Sequence, residues 1–377
     1  MNLPIPYTRH SLGEAEIQAV AAVMRSGWLT GGPKVAEFEA ACADYLGARH
    51  CMAVSSGAMA LSLALLAHGI GPGDTISTTP VTYAGAVNAI LLVGARPVFE
   101  DIDLRTGMAT LSGAGGSGIM PMSYGGQPIE IASSQGRCVI LDAAHAMGAS
   151  IEGKKIGSQG TVCFSFHPAK NMTTGEGGLI ATDNDRVAEQ LNIMRLHGIT
   201  RPEMTFEGKT SVNPIRQTMT SWGFKANMTD IQAAIGLVQL EKLDAMNERR
   251  AEWAGRYLQW IYDHEMPFEP VIQPAEDEQP SWHLFPVLVP DHWSVSQRNR
   301  RILWFHKRGI QVQVHYYHPV HLHPWYREKY GYKEGDFPNA ERFCERVMSL
   351  PLYPDMTEEE FVYVTTTIEG IVKKWPV

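Results

Sequence analysis

The sequence predicts an α/β protein built on a mostly parallel, doubly wound sheet. Between Cys51 and Phe166, short apolar runs alternate with stretches of helical periodicity. This alternation is typical of buried parallel strands that are joined by helices. A long predicted helix follows, and after it a second, smaller α/β pattern runs to the C-terminus. We therefore expect a large domain of residues 1–244 and a small domain of residues 245–377.

The composition limits the classes of protein to which the chain can belong. Its 377 residues are 44% hydrophobic and 19% charged, as is usual for a folded enzyme. The net charge of -8, without any run of basic residues, argues against nucleic-acid binding. No apolar stretch reaches the roughly 18 residues of a membrane helix, and the N-terminus does not resemble a signal peptide. The five cysteines have no CxxC spacing. We predict a cytoplasmic protein with reduced cysteines and no metal site.

Two helices are predicted before the first strand. Ser11 and Glu14 form a capping-box pattern at the start of the first helix, and Pro33 begins the second. The glycine-rich stretch between the helices contains Trp28 and Thr30. Its glycines could serve only to turn the chain, but their clustering with these two side chains equally indicates a ligand-binding loop. Trp28 and Thr30 are therefore candidate substrate contacts.

Small and aromatic residues follow two of the predicted strands. Ligands of doubly wound sheets bind at the carboxyl ends of the strands, so the residues after each apolar run are candidates for function. Ser56, Gly57 and Ala58 follow the first run and begin a helix, where backbone N–H groups can bind a phosphate. Tyr83 follows the second run. Its ring is suited either to the protein core or to stacking on a flat ligand.

Charged residues follow two further strands. Asp142 ends the run CVILD, and His145 comes three residues later. A carboxylate at that place is costly to bury unless it meets a cation. The run TVCFSF contains Ser165 and leads into a turn with Lys170, where desolvation would lower the pKa of the amine. A phosphate cradle, an aromatic ring, a carboxylate and a lysine together meet the requirements of pyridoxal 5′-phosphate.

The C-terminal part is predicted to contain mainly packing elements. Thr229 caps a helix of some thirty residues, which is long enough to connect two domains. We then expect a strand over 283–289, a helix that ends near Arg308 and a strand over 310–317. Of the two terminal helices, the last begins at Thr357.

A cluster of histidines lies in the segment VHYYHPVHLHP. Two prolines interrupt any regular face of this segment, and no carboxylate or thiol stands at ligand spacing. We therefore predict no metal site, and we regard His315 and His321 as candidate substrate contacts. Surface polarity is the alternative explanation.

Seven segments, in order along nearly the whole chain, resemble the DegT/StrS nucleotide-sugar aminotransferases, which are fold-type I pyridoxal-phosphate enzymes. The segments are GWLTGGPKVAEFE (27–39), SSGAMAL (55–61), VILDAAHAMGA (139–149), FSFHPAKNMTTGEGG (164–178), MTDIQAAIGLVQLEKLD (228–244), VQVHYYHPVHLHPWY (312–326) and GDFPNAERFCERVMSLPLYPDMTEEE (335–360). The resemblance implies a large domain with a seven-stranded, mostly parallel sheet, a smaller C-terminal α/β domain, and a homodimer with shared active sites.

The resemblance also implies roles for individual residues. Lys170 would be the Schiff-base lysine, Asp142 the partner of the pyridinium nitrogen, and His145 a neighbour of the ring hydroxyl. Tyr83 would stack on the cofactor ring. The phosphate would be held by Ser56, Gly57, Ala58 and Ser165, and by Lys225 or Asn227 of the partner chain.

Three positions depart from the family pattern. Ala58 stands where threonine is usual, which leaves only a backbone contact to the phosphate. The usual N-Y-R reads Lys225-Ala226-Asn227 here, and which of its polar residues meets the partner's phosphate stays open. Ser123 replaces a histidine that is often found at a strand end. The roles of Ser123 and His167 are also open.

Within the family, the chain is most similar to enzymes that aminate C4 of a UDP-linked 4-keto-6-deoxy sugar, as in the pseudaminic-acid pathway. The similarity lies in TTGEGG, His145 and VQVHYYHPVHL. The implied reaction is a ping-pong transfer from L-glutamate to a keto-sugar nucleotide through Lys170. The alternatives are amination at C3, a non-sugar cyclic ketone as substrate, and a regulatory protein that only binds the cofactor. A sugar 3-dehydrase would carry histidine in place of Lys170.

Overall fold

The structure is a computed structural model that describes residues 4–109, 112, 116–130, 137–200, 203–206, 209–212 and 217–374. The first three and the last three residues of the chain are not among the described residues. The helices are α1 Glu14–Ser26, α2 Pro33–Leu46, α3 Gly57–Ala67, α4 Ala84–Leu92, α5 Asp185–Met194, α6 Asp230–Asp263, α7 Val295–Lys307, α8 Pro324–Tyr330, α9 Pro338–Arg346 and α10 Glu358–Lys374. The strands are β1 His50–Val54, β2 Thr75–Thr78, β3 Arg96–Phe99, β4 Gly118–Met120, β5 Cys138–Asp142, β6 Ser150–Ile151, β7 Lys154–Lys155, β8 Thr161–Ser165, β9 Gly178–Thr182, β10 Ile199–Thr200, β11 Glu203–Phe206, β12 Lys209–Val212, β13 Thr218–Met219, β14 Glu269–Pro270, β15 Glu278–Gln279, β16 Phe285–Leu288 and β17 Val347–Leu350.

The central sheet contains seven of the described strands, in the order β1-β9-β8-β5-β4-β2-β3. From β8 to β3 every neighbouring pair is parallel, whereas β9 runs antiparallel to both of its neighbours. This confirms the predicted α/β fold with a mostly parallel sheet. Because β1, β2, β5 and β8 point the same way, the residues that follow them meet at one edge of the sheet.

Both faces of the central sheet are buried under helices. Ile140 and Leu141, which are neighbours on β5, lie in different hydrophobic clusters because successive side chains of a strand point to opposite faces. The Leu141 cluster contains Phe38 of α2 and Leu243 of α6. The Ile140 cluster contains residues of α3, α4 and α5. Burial on both faces explains why these strands read as continuous apolar runs.

The helix α6, of 34 residues, connects two hydrophobic cores. Its N-terminus is capped as predicted, since the Gln232 N–H donates to Thr229 Oγ1 at 3.2 Å. Residues as far as Met246 belong to the core beneath the sheet, and residues from Trp253 onward belong to a C-terminal core. The domain boundary that we predict at residue 244 falls just before this change of core, and it stays a prediction.

The C-terminal core surrounds a small antiparallel sheet, in which β16 pairs with β14 and β17. The helices α7 and α10 bury Phe305, Val364 and Ile368 in it. The helix α10 begins directly after Thr357, whose N–H donates to Glu360 at 2.9 Å. No helix in the described part of the chain is long and apolar enough to cross a membrane.

One predicted strand and one predicted helix cap are wrong. The strand predicted over 310–317 is reduced to isolated bridges from Ile310 to Ile5 and from Gln313 to Ser349, because different segments flank it at each point. The predicted capping box at Ser11 is absent, since α1 begins only after Gly13, whose N–H donates to Glu16 at 2.9 Å.

Candidate active site

The residues that follow β1, β2, β5 and β8 surround a cavity of about 460 Å³. Its lining includes all eight residues that the sequence predicts to hold a cofactor within a single chain. These are Ser56, Gly57, Ala58, Tyr83, Asp142, His145, Ser165 and Lys170. Four separate predictions from strand ends therefore converge on one place.

One end of the cavity is built to hold an anion. Ser56 caps α3 by accepting the N–H of Met59 at 3.2 Å, so the first N–H groups of the helix are directed toward the cavity end. Ser165, at the end of β8, forms the opposite wall. A Cβ on Gly57 would lie 2.7 Å from the Ser165 Cβ, so only glycine allows this close approach. The arrangement suits a phosphate group.

Asp142 and Lys170 bring opposite charges into the buried part of the cavity. Asp142 is only 4% exposed, and burial raises its pKa to about 6, against the lowering effects of the Ala144 N–H, which donates to Oδ1 at 3.1 Å, and of the Lys170 charge. Burial lowers the pKa of Lys170 to about 8, against the raising effect of Asp142. Lys170 is half-buried in a turn closed by its own N–H to the His167 carbonyl at 2.8 Å. A useful fraction of this amine is therefore neutral, and so nucleophilic, near neutral pH.

His145 is buried in a single tautomer. Its Nδ1 accepts the N–H of Gly125 at 3.3 Å, so the proton of the neutral ring lies on Nε2. Burial lowers its pKa well below the ordinary value, and the neighbouring Lys170 charge adds to this effect. His145 is therefore a neutral hydrogen-bond donor at the cavity wall.

The lining also includes residues that were not predicted from the sequence, among them Tyr7, Glu176, His283 and Tyr316. These four residues do not directly follow a strand of the parallel sheet, whereas the predicted site residues lie at or shortly after the end of one. His283 arrives there because β15 pairs with β6 and returns the chain to the large domain. Its ring lies 4.3 Å from that of His145, centroid to centroid. A polar residue beside the apolar run LFPVLV was the one available signal for it.

The two candidate histidines of the C-terminal part occupy different environments. His315 lines the cavity, with Nδ1 2.9 Å from the Ser349 hydroxyl, and burial lowers its pKa to about 4. His321 is completely buried and does not line the cavity. Its Nε2 lies 3.1 Å from Glu341, and its ring packs against Phe337. The structure thus places His321 in a packing cluster rather than in a substrate pocket.

The other predicted contacts form a surface group outside the cavity lining, which we call the 28–227 surface group (Trp28, Thr30, Lys225, Asn227). Asn227 Nδ2 donates to Thr30 Oγ1 at 3.2 Å, and Lys225 Nζ donates to Asn227 Oδ1 at 2.6 Å. Trp28 is 60% exposed. These four residues do not line the cavity of their own chain, so their roles stay predictions.

The two residues with open roles differ in exposure. Ser123 is buried, and its hydroxyl has no hydrogen-bond partner among the described residues. His167 is exposed at the cavity, where its Nδ1 accepts the N–H of Ala169 at 3.1 Å. This bond closes the turn that carries Lys170.

The residues present fit pyridoxal 5′-phosphate. The glycine-dependent cradle at Gly57 matches the phosphate, and the Asp142 carboxylate matches a protonated ring nitrogen. Lys170 offers an amine to the aldehyde. The Tyr83 ring, which is 70% exposed, provides a flat surface for the cofactor ring at the open side of the cavity.

Known proteins resemble this chain over almost its entire length. The model of the DegT/DnrJ/EryC1/StrS aminotransferase family matches residues 10–369. The spore coat polysaccharide biosynthesis protein SpsC of Bacillus subtilis is 38% identical, over 98% of this chain and 97% of its own. Spr1654 of Streptococcus pneumoniae in its PLP form is 28% identical, with a TM-score of 0.88 over 98% of this chain and 99% of its own. PseC of Helicobacter pylori, an aminotransferase involved in pseudaminic acid biosynthesis, is 26% identical, with a TM-score of 0.89 over 99% of this chain and 100% of its own.

Proposed function

Since the chain belongs to the DegT/DnrJ/EryC1/StrS aminotransferase family, we propose that it moves the amino group of L-glutamate to C4 of a UDP-linked 4-keto-6-deoxy sugar. It is an enzyme of fold type I, a sugar aminotransferase that uses pyridoxal 5′-phosphate. The observation that carries the proposal is the single cavity shared by the Lys170 amine, the Asp142 carboxylate and the anion cradle. The donor, the nucleotide and the carbon atom are the proposed part.

The residues of the cavity divide the work of holding the cofactor. When bound, pyridoxal 5′-phosphate supplies an aldehyde that attaches to amines and a ring that takes up the electron pair of a carbanion. Lys170 would hold the aldehyde, and the N-terminus of α3 with Ser165 would hold the phosphate. Asp142 would keep the proton on the ring nitrogen, and Tyr83 would cover the ring.

Lys170 would also move the proton in both half-reactions. Once the amino donor has displaced it, the Lys170 Nζ would accept the proton from the donor's Cα and pass it to the bound cofactor. Burial keeps the pKa of this amine at about 8, which suits both tasks. In the second half-reaction the same Nζ would take a proton back from the cofactor and deliver it to the sugar carbon that receives nitrogen. A general base with a pKa near the working pH is efficient in both directions.

The sugar would bind on the side of the cavity formed by Tyr7 and His315. Their rings lie 5.6 Å apart, centroid to centroid, and both come from segments outside the central sheet. Two relatives support a sugar as the acceptor, since SpsC takes part in polysaccharide biosynthesis and PseC in pseudaminic acid biosynthesis.

A homodimer with shared sites would complete the binding of the phosphates. Within the described residues, the cavity lining contains no arginine and no lysine other than Lys170, although the substrate carries a diphosphate. The 28–227 surface group offers an exposed cation, Lys225. We propose that Lys225 or Asn227 of the partner subunit reaches this cavity.

Transfer of labelled nitrogen tests the proposed substrates. The loaded enzyme is mixed with L-glutamate labelled with ¹⁵N and, separately, with 4-keto and 3-keto sugars linked to UDP or to dTDP. We expect ¹⁵N on C4 of the UDP-linked 4-keto sugar, located by NMR. Labelling only at C3, or of no sugar at all, would contradict the proposed acceptor. Transfer of nitrogen from another labelled amino acid, with no transfer from glutamate, would contradict the proposed donor.

A further inference from the structure

A buried polar network lies behind the turn that carries Lys170. Asn171, the next residue, is 2% exposed, and its Nδ2 donates to Asn247 Oδ1 at 2.8 Å and to the Ser281 carbonyl at 2.7 Å. The Asn171 carbonyl in turn accepts from Arg250 Nη2 at 3.2 Å. The residue beside Lys170 is therefore fixed through both its side chain and its backbone.

Arg250 is the unusual member of this network. It is 3% exposed, and its hydrogen bonds go to neutral oxygens, those of the Asn171 carbonyl and the Asn247 side chain. The nearby Asp355 charge favours the guanidinium, but burial outweighs it and lowers the pKa of Arg250 to about 10. Burying this guanidinium therefore costs free energy that an apolar side chain of similar size would not cost. Stability alone therefore does not account for an arginine at this position.

The network also reaches His145 on the other wall of the cavity. Ser281, which accepts from Asn171, donates its hydroxyl to the His145 carbonyl at 2.8 Å. Asn247 donates to the Met147 carbonyl at 3.1 Å, two residues further along the same turn. One set of buried side chains thus contacts the backbones on either side of the cavity.

We propose that Arg250 and Asn247 are positioning residues, which hold the Lys170 amine in place through Asn171 and fix its position relative to His145 through Ser281. Both lie on α6 between Met246 and Trp253, where the helix passes from one core to the other. The position of the amine is therefore tied to the helix that joins the two cores. The proposal rests on Lys170 being the amine that binds the cofactor.

The test uses Arg250→Met, which keeps most of the side-chain volume but removes the donors. The matched control is Arg249→Met on the same helix, since Arg249 is exposed and pairs with Glu252 at the surface. Asn247→Ala is a second variant with a smaller change, in case Arg250→Met does not fold. Circular dichroism and thermal unfolding establish that each variant is folded.

The readout is the acetylation of Lys170 in cofactor-free protein, measured by mass spectrometry with trace acetic anhydride from pH 6 to 11. We expect a midpoint near pH 8 in the wild type and in Arg249→Met. In Arg250→Met and Asn247→Ala the midpoint should rise by about one pH unit, because an amine that is no longer held in the buried turn is better solvated. We also expect kcat to fall about tenfold or more in both variants.

A folded variant with both the midpoint and kcat of the wild type would overturn the positioning role, even if its thermal stability were lower. The role of Lys170 in the proposed function is tested separately, in the wild-type enzyme. Borohydride reduction of the loaded wild type should leave the cofactor attached to Lys170. Attachment to another lysine would refute the role of Lys170 itself.

Discussion

At the scale of single residues, the buried carboxylate of Asp142 opposes the stability of the cofactor-free protein. Burial raises its pKa to about 6, so the folded state binds the proton more tightly than the unfolded chain does. The resulting loss of stability is complete above pH 6 and disappears as the pH falls toward 4. A bound pyridinium would reverse this, because an adjacent cation favours the carboxylate.

Asp142→Asn should therefore stabilise the cofactor-free protein while impairing the enzyme. We expect the free energy of unfolding to rise by about 1–3 kcal/mol at pH 7.5, and the gain to vanish near pH 4. Asparagine Oδ1 keeps the acceptor for the Ala144 N–H, while the charge is lost and an NH₂ group replaces the other oxygen. Denaturant unfolding at the two pH values measures this. If the cofactor-free variant were less stable than the wild type at pH 7.5, burial of the Asp142 charge would not be destabilising.

At the scale of elements, the approach of the α3 N-terminus to the end of β8 determines whether the cradle can form. Gly57→Ala would place a Cβ 2.7 Å from that of Ser165, so the helix start must shift. We expect a weaker affinity for pyridoxal 5′-phosphate and a loss of about 1–3 kcal/mol of stability. Fluorescence titration and denaturant unfolding measure the two effects.

Gly255→Ala on α6 is the matched control for this substitution. Nothing lies within 4 Å of a Cβ at that exposed position. Alanine should stabilise the helix by about 0.5–1 kcal/mol and leave cofactor affinity unchanged. If both alanine variants bound the cofactor like the wild type, the cradle would not lie at Gly57.

Elements whose sequence signal is local were predictable. The apolar run before Asp142 indicates a buried strand because both faces of β5 are covered, and Thr229 marks the start of α6 through its own hydroxyl. The predicted start of α1 is wrong because Glu16 accepts the N–H of Gly13 and also pairs with Lys242 on α6, far along the sequence. No pattern within the first helix reveals that contact.

The site was predictable as far as it lies on strand ends. Lys170 and Asp142 follow parallel strands, so one rule of sheet topology brings them together. His283 reaches the cavity through the pairing of β15 with β6, which is a long-range contact between short strands. His321 shares its segment with His315, yet it packs on Phe337 because the chain turns between them. Tertiary contacts of this kind leave no periodicity in the sequence.

At the scale of the whole molecule, the proposed shared sites predict that two inactive variants restore each other. Lys170→Ala lacks the amine, and Lys225→Ala lacks the cation proposed to reach the partner's cavity. After mixing and subunit exchange, about a quarter of the wild-type rate should return, since half of the dimers are mixed and each has one intact site. Sedimentation and turnover measure dimerisation and recovery.

Two mixtures serve as controls for this experiment. Lys170→Ala with Asp142→Asn should recover nothing, because both residues belong to the same cavity of one chain. Asn227→Ala in place of Lys225→Ala decides which residue of the surface group makes the contact. Full activity of both Lys225→Ala and Asn227→Ala, or a monomeric enzyme, would contradict the shared site.

The central claim is that Lys170 carries the amino transfer in a cavity prepared for pyridoxal 5′-phosphate. Its most direct test is the rate of ¹⁵N transfer from labelled L-glutamate to the keto-sugar nucleotide, compared between the wild type and Lys170→Ala at saturating cofactor. The wild type should turn over repeatedly, and the variant should be slower by about a thousandfold or more, because it lacks both the attaching amine and the proton carrier. Repeated turnover by Lys170→Ala at the wild-type rate would contradict the claim.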